Sequence, residues 1–170
     1  MSRPCAKRLR TTWITLSAEV EVVSSLLDGE GLDFAGADLS GLDLVEEELS
    51  EAILKGVRLV GANLSGAWLN GAKPRGADLS RSNLRKAQAR ACDAEGVVLL
   101  GANLDRCELE NADLRHVDLH EVWFGRATLA GADLRGADLS RCEFGQGYFT
   151  DFAQARLVGF VVRDARGTVR

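Results

Sequence analysis

The chain has 170 residues, of which 46% are hydrophobic, 27% charged and only 6% aromatic. Its formal net charge of −4 is too balanced to favour binding to nucleic acid or to a membrane surface. Every apolar run is shorter than the roughly 18 residues that a transmembrane helix needs, and the N-terminus carries no recognisable secretion signal. We therefore expect one domain that stays in the cytoplasm.

The first predicted element is a short helix over residues 17–28, SAEVEVVSSLLD. Ser17 can cap its N-terminus, acidic residues favour its first turn, and Gly29 ends it. We assign residues 1–31 to an N-terminal segment whose helix caps the domain that follows.

A repeat of five residues dominates the rest of the chain. From Phe34 to Phe149 every fifth residue is Leu or Phe apart from Pro74, Ala89 and Ala94, which gives 24 units without an insertion. The residue two places earlier is mostly small and the residue between them is most often Asp or Asn, so the unit reads A-(D/N)-L-x-G. A period of five does not match the 3.6 residues of a helical turn, whereas the small-x-Leu triplet puts two apolar residues on one face of a short strand. Each pentapeptide is therefore predicted to form one side of a coil.

The number of sides follows from a longer period. The motif GADLS occurs at 36–40, 76–80 and 136–140, always separated by a multiple of 20 residues. One corner in every four carries Gly in five of six cases, which indicates a backbone with positive φ, as in a type II turn. Four pentapeptides are therefore expected to complete one square coil.

Polar residues follow the same period. Asn63, Asn83 and Asn103 are spaced by 20 residues and are expected to stack and to hydrogen-bond along the column. The predicted fold is all-β, a quadrilateral β-helix of about six coils over residues 32–163, with a tail at 164–170.

Two stretches break the pattern. Pro74 removes an amide donor from the ladder, and Ala89 and Ala94 leave the core thin, so we predict a bulge or loop at 73–76 and 88–96. Glu47 at an inward position predicts another bulge in VEEELSE. Basic residues near the first stretch are interpreted as a solvated belt, with contact to an acidic partner as the alternative: Lys73, Arg75, Arg81, Arg85, Lys86 and Arg90.

The register slips near residue 150. The triplets ARL (155–157) and FVV (160–162) resume the pattern three residues out of phase. Four aromatic residues cluster there and are interpreted as a plug for the open end, with a contact in a homodimer as the alternative: Tyr148, Phe149, Phe152 and Phe160.

Three of the four cysteines occupy inward positions. Cys92, Cys107 and Cys142 are predicted to be buried free thiols, which suits a reducing compartment. The chain contains no CxxC pair, so zinc is not expected.

The sequence HVDLH is the only motif that contains histidine. His116, Asp118 and His120 point outward around a predicted corner, so we interpret them as surface residues, with a metal site as the alternative. We find no nucleophile–base pair and no phosphate-binding loop, and we expect no catalytic residue, cofactor or metal.

The segments GADLSGLDL, GANLSGAWLNGA and ATLAGADLRGADLS resemble those of the pentapeptide-repeat proteins, over about 120 residues. This resemblance implies a right-handed quadrilateral β-helix. Some bacterial members resemble a DNA duplex in size and charge and bind DNA gyrase, which they inhibit or protect from quinolones and peptide toxins. The resemblance thus implies a non-catalytic DNA mimic that binds gyrase or topoisomerase IV and not nucleic acid itself. A scaffolding protein with an unrelated partner is the alternative.

The fourth side of the coil is the predicted contact face. Outward middle positions are acidic in 12 of 24 repeats, although Asp and Asn beside a turn can also serve to bond backbone amides. Side four has five acidic residues, only Arg90 as a basic one, and two exposed aromatic residues, which together suggest a recognition surface, with a merely solvated side as the alternative. The predicted face comprises Glu48, Glu51, Trp68, Glu108, Glu110 and Tyr148.

Overall fold

The computed structural model describes residues 32–145, 151–159 and Arg166. The predicted capping helix at 17–28 and most of the predicted tail lie outside these residues. The proposed boundaries of the three segments therefore stay predictions.

Parallel β-bridges join residues 20 positions apart on each side of a tube. One column begins with Asp33 and Ile53, and the other three begin at Asp38, Asp43 and Glu48. Because neighbouring columns are five residues apart, each coil has four sides and each pentapeptide supplies one. The predicted repeat β-helix is confirmed, while the total number of coils stays a prediction because both chain ends lie outside the described residues.

The backbone of each pentapeptide bonds to its neighbours above and below. The amide of Phe34 donates to the carbonyl of Ile53 at 2.8 Å, and the amide of Gly36 donates to Lys55 at 2.9 Å. Within the coil, the amide of Ala37 closes the turn on the carbonyl of Phe34 at 3.0 Å. The ladder thus satisfies buried backbone groups that no single coil could satisfy alone.

Positive φ was predicted for the one corner column that is rich in glycine, and it occurs at corners of all four columns. Gly36 has φ of 71°, and non-glycine corners such as Arg81, Lys86 and His116 have φ between 58° and 61°. A Cβ added to Gly36 would meet nothing within 4 Å, so space does not explain the glycine there. The left-handed conformation itself favours glycine at these corners.

The core consists of two inward side chains per pentapeptide, one small and one large. Ala52 is fully buried and Leu54 and Leu64 are at most 1% exposed. Burying each such leucine contributes about 1.5–3 kcal/mol. Stability therefore comes from stacking one coil on the next.

Most sides contribute a single bridging residue, and two longer strands occur. Strand β1 spans Trp123–Gly125 and strand β2 spans Glu143–Phe144, and they pair in parallel. A register shift opposes Gly125 to Phe144, so β1 contains a bulge. Phe124 and Phe144 stack there at 5.2 Å between ring centroids.

The predicted bulges at 73–76 and 88–96 are wrong. The turn after Pro74 closes normally, with the amide of Ala77 donating to the carbonyl of Pro74 at 2.8 Å. Proline costs one rung, since it has no amide hydrogen, but the amide of Asp93 still donates to Ala72 at 2.9 Å. The remaining bonds hold the register. The predicted thin core is confirmed, because a cavity of about 50 Å³ lies among Pro74, Ala89 and Ala94.

The bulge predicted in VEEELSE is also wrong. The amide of Trp68 donates to the carbonyl of Glu47 at 2.9 Å, and Glu48 bridges Trp68 in register. Glu47 lies at an inward position of the first described coil, where Leu32 and Leu42 are likewise only half-buried. A carboxylate is tolerated at this level because it is not enclosed.

The register slip is confirmed, and it falls before residue 151. Thr128 bridges Asp151 and Asp133 bridges Arg156, each 23 residues on instead of 20. The described in-phase units end at Phe144, and the predicted 24th unit, at Phe149, lies outside the described residues. Phe152 packs on Phe124 and Phe144 at 6.4 Å and 6.0 Å between ring centroids, as a plug requires. Tyr148, Phe149 and Phe160 lie outside the described residues.

Candidate partner-binding face

Side four is formed by the column of bridging residues that starts at Glu48. The column continues through Trp68, Gln88 and Glu108 to Thr128. Neighbouring rungs of such a ladder are about 4.8 Å apart, so Glu48 and Glu108 lie roughly 14 Å from each other along the axis. The described residues of the predicted face thus lie along one side but separate into two groups.

The lower group surrounds Trp68, whose side chain is 48% exposed. Its backbone is fixed to the preceding coil by two bonds, because its amide donates to the carbonyl of Glu47 and its carbonyl accepts from the amide of Leu49 at 2.8 Å. Glu48 is exposed on the adjacent rung, and Glu51 follows at the next corner with φ of 60°. A rigidly mounted aromatic ring beside carboxylates is suited to burial by a partner.

The upper group is partly compensated within the chain, by a single arginine that faces two glutamates. Arg90 contacts Glu108 at 3.2 Å and Glu110 at 3.3 Å, between nitrogen and oxygen atoms. Both glutamates are half-buried, so their charge is less available than that of Glu48. Tyr148, predicted to complete the face, lies outside the described residues.

The outward carboxylates have a structural role that the turn chemistry predicted. The Oδ1 atom of Asp33 accepts from the amide of Ala35 at 2.9 Å, and Asp138 accepts from Ser140 at 2.8 Å in the same way. Residues that bond the amide two positions on in this manner recur around the tube: Asp33, Asp38, Glu48, Asn63, Asp78, Asn83, Asn103, Asp113, Asp118, Asp133, Asp138 and Asp151. Acidity at middle positions is therefore not by itself a sign of DNA mimicry.

The stacked amides are confirmed in the lower part of side three. The amide nitrogen of Asn83 donates to Asn63 Oδ1 at 3.1 Å, and that of Asn63 donates to Asp43 Oδ1 at 3.1 Å. This column ties three coils together on the side next to the candidate face.

Negative charge is concentrated at one end of the tube. Residues 32–54 contain seven acidic residues and no basic one, whereas residues 55–145 contain 12 acidic and 13 basic residues. The described ion pair that involves the first group is Arg58 with Asp38 at 3.9 Å, between two exposed side chains. Such a contact is worth little. Among the described residues, the carboxylates of the first coil are therefore largely uncompensated.

Half of the predicted basic belt is engaged in ion pairs. Arg75 pairs with Glu95, and Arg85 contacts Asp105 at 3.2 Å. Arg90 pairs as described above. Since these partners lie one coil further along, the belt mainly fastens neighbouring coils to each other, which weakens the alternative of an acidic partner.

Above the belt, aspartate–arginine pairs line side one. Hydrogen bonds from Arg135 lower the pKa of Asp133 to about 2. Arg115 likewise lowers the pKa of Asp113. These carboxylates are ionised at neutral pH and paired within the chain.

The three inward cysteines are buried free thiols, as predicted. Burial raises the pKa of Cys92 and of Cys142 to about 12, and it raises the pKa of Cys107 further. All three are neutral thiols at physiological pH and are poor nucleophiles.

The histidines do not form a common site. His116 lies against Gly136, and His120 Nε2 faces Glu121 Oε1 at 3.7 Å. Among the described residues, the group of metal-ligand type whose oxygens come within 4.8 Å of one another is Asp93, Glu95 and Asp113.

Two arginines surround that acidic group. Arg115 donates to Glu95 at 3.0 Å and to Asp113 at 2.6 Å, and Arg75 lies 3.8 Å from Asp93. These cations supply the positive charge that a metal ion would otherwise provide, so the group is a network of ion pairs.

Sequence reasoning missed three exposed apolar side chains among the described residues, and one of them, Val158 beyond the register slip, is 74% exposed. Trp123 on side three is 37% exposed, and Val45 near the first corner below side four is 42% exposed. Trp123 occupies an outward middle position of its repeat, and that position is enough to predict its exposure. Val45 stands beside a turn, where the repeat pattern does not specify orientation.

The parallel bridges between stacked pentapeptides define a repeat β-helix. Among the residues described, no helix is long and apolar enough to span a membrane. The profile of pentapeptide repeats matches this sequence in eight copies, over residues 33–67, 58–93, 82–120, 107–146 and 118–157. Because these matches cover more than half of the chain, the protein belongs to the pentapeptide-repeat family.

Solved structures of other repeat proteins resemble the tube. A trypsin-treated form of QnrB1, a plasmid-mediated fluoroquinolone resistance protein, has a TM-score of 0.54 and 18% identity, over 81% of this chain and 80% of that one. A pentapeptide repeat protein of the Arabidopsis thaliana thylakoid lumen has a TM-score of 0.46 and 29% identity, over 61% and 68%. One from Nostoc PCC 7120 has 0.42 and 28%, over 71% and 84%. The likeness to QnrB1 supports the fold, and no curated protein matches the chain.

Proposed function

We propose that this protein is a non-catalytic interaction module that binds a protein partner through its acidic first coil and the adjoining part of side four. The observation that carries the proposal is the position of Trp68. Its ring is about half exposed on a rigid ladder, beside a coil that holds seven acidic residues and no basic one. Tryptophan is among the residues that most often contribute the bulk of the affinity at a protein interface.

The partner that fits this chemistry best is a protein with a basic, DNA-binding groove. An enzyme that holds DNA must neutralise phosphates with Lys and Arg, and the acidic end of the tube offers carboxylates to the same groups. We therefore propose DNA gyrase or topoisomerase IV as the partner, with the protein acting as a DNA mimic that modulates the enzyme or protects it from quinolones. The fold supports this proposal, as does the family resemblance. A cytoplasmic location is part of it.

A supercoiling assay tests the proposal. Purified protein is titrated into DNA gyrase, with and without a quinolone, and we expect either inhibition of supercoiling or less drug-induced cleavage. Trp68→Ala and Glu48→Lys should each weaken the effect. Trp123→Ala is the matched control, since it removes another exposed indole on a different side and should leave the effect unchanged.

Absence of any effect on gyrase and topoisomerase IV would remove this partner. Equal loss with Trp123→Ala would remove the assignment to side four, because both exposed indoles would then matter alike.

A scaffolding role with an unrelated partner is the second candidate, and one observation favours it. A mimic of DNA needs negative charge along its length, yet residues 55–145 carry 12 acidic and 13 basic residues. Affinity capture with the wild-type protein, repeated with Trp68→Ala and Glu108→Lys, distinguishes the candidates. A partner lost with Trp68→Ala that does not bind DNA would favour scaffolding.

A homodimer joined through the C-terminal end also belongs to the proposal. Phe152 is half-buried on Phe124 and Phe144, and it leaves part of its ring free at that end. Light scattering during size exclusion measures the mass in solution, and a monomer at all concentrations would contradict the dimer while leaving the binding face untouched.

A further inference from the structure

The interior of the tube contains a cavity that the proposed function does not use. Its volume is about 50 Å³, and it lies where large inward side chains are missing at adjacent positions. Ala94 stands one coil above Pro74 on side one, and Ala89 precedes Ala94 around the shared corner. Leu69 below and Leu109 above are of normal size and close the space along side four.

The cavity persists because the backbone cannot close around it. The amide of Ala89 donates to Glu108 at 2.7 Å, and that of Ala94 donates to Asp113 at 2.9 Å. These rungs set the spacing of the coils on both sides of the gap. Missing side-chain volume is therefore retained as empty space instead of being recovered by collapse.

The lining is apolar apart from two thiols. Leucine, alanine, valine and proline side chains contribute most of it, and Cys92 and Cys107 border it. Both thiols are neutral, since burial raises their pKa well above physiological pH. A buried water needs two to four polar partners, and this lining offers only weakly polar sulfur. The cavity should therefore be dry.

We infer that the space among Pro74, Ala89 and Ala94 is a binding site for one small apolar ligand of the size of a xenon atom. Engineered apolar cavities of about 150 Å³ stay dry and bind benzene or xenon. The present cavity has about a third of that volume, so it admits a single atom or a molecule of very few heavy atoms and excludes an aromatic ring. The site is independent of the partner-binding face.

Xenon itself is the probe. Xenon NMR of the purified protein should show a saturable shift for the wild type, and crystals pressurised with xenon should show one atom between Ala89 and Ala94. The S–H stretching bands of Cys92 and Cys107 should shift on binding, while that of Cys142, which donates to Leu119 at 3.0 Å away from the site, should not.

Ala89→Leu restores the leucine column and fills the space. It should weaken xenon binding by about tenfold or more, whereas Ala35→Leu, the same change on an exposed corner, should leave binding intact. Ala94→Val is a second, smaller filling change, and a denaturation curve for each variant shows that it is folded. Equal binding by Ala89→Leu and wild type, absence of saturable binding by wild type, or ordered water in the cavity would overturn the inference.

Discussion

The middle of the tube and its C-terminal part fill the same square cross-section with side chains of different size. In the middle, Pro74, Ala89 and Ala94 replace leucine, and the backbone continues in register around a cavity of about 50 Å³. Near the C-terminal end, Phe124 and Phe144 replace leucine, and the ladder contains a bulge at β1. The ladder therefore tolerates a deficit of volume without changing, whereas the aromatic column coincides with a changed backbone. Hydrogen bonds between coils keep neighbouring coils at a fixed spacing, so missing side-chain volume stays empty. A phenylalanine ring is larger than a leucine side chain, and the backbone at the corner changes to accommodate it.

The largest effect on stability is expected from removing an aromatic side chain near the C-terminal end, which would create a second region with missing core volume. Phe124→Ala removes a fully buried ring that packs on both Phe144 and Phe152. It should lower the free energy of unfolding by about 3–5 kcal/mol, as measured by urea denaturation. A loss below 1 kcal/mol would show that this part also tolerates empty space.

The bulge should be the next most sensitive feature. Gly125 has φ of 48°, and a Cβ there would meet Asp105 Oδ1 at 2.2 Å. Gly125→Ala should therefore cost about 2 kcal/mol, from backbone conformation and from displacement of Asp105. Gly36→Ala is the control, since its φ is also positive but its Cβ would meet nothing within 4 Å, and about 1 kcal/mol is expected. Equal costs at both glycines would argue that Asp105 moves freely.

The same enlargement should have opposite signs in different parts of the core. Ala89→Leu fills the cavity and should stabilise the fold by about 1 kcal/mol, from roughly 24 cal/mol per Å³. Ala52→Leu enlarges an alanine that is fully buried and does not line the cavity, and it should cost about 1–3 kcal/mol. Thermal denaturation of both variants checks the pair, and destabilisation by both would mean that the cavity is not available to a side chain.

The smallest expected effect is a loss of stability at alkaline pH, which compares a buried thiol in the middle of the tube with one near its C-terminal end. The pKa of Cys92 in the middle is raised to about 12, and that of Cys142 near the aromatic column is raised equally. A thiol whose pKa is higher in the folded state stabilises the fold fully below its unfolded pKa, and it loses that contribution as the pH rises towards 12. Stability should fall above about pH 9, by about 1 kcal/mol per thiol at pH 10, and Cys92→Ala or Cys142→Ala should each remove a similar share of the slope. A pH-independent stability between pH 8 and 10 would contradict the burial of these groups as thiols.

Much of the fold followed from local patterns. The alternation of Ala37 with Leu39 identified the inward positions, and the columns of period 20 identified four sides, because strand periodicity and stacking are short-range rules. The predicted loops at Pro74 and at Glu47 failed for one reason. One unfavourable residue does not decide the path of the backbone, because hydrogen bonds to the coils above and below keep it in place.

The candidate face was predictable only in part. Trp68 was correctly expected to be exposed, since the middle residue of a triplet points outward. The ion pairs of Arg90 with Glu108 and Glu110 were not foreseen, and this arginine offsets at most one of the four negative charges described on the face. Partners one coil apart in space are 18 and 20 residues apart in sequence, and rotamers decide which of them meet.

The sequence by itself determined that this chain winds into a four-sided tube with leucine inside, because a period of five with two apolar positions is compatible with little else. Only the tertiary structure decided where the core is empty, where an aromatic stack accompanies a bulge, and which carboxylates form ion pairs within the part of the chain that the structure describes. Those features depend on how coils close against one another, and contact between coils is a property of the stacked tube that no single repeat contains.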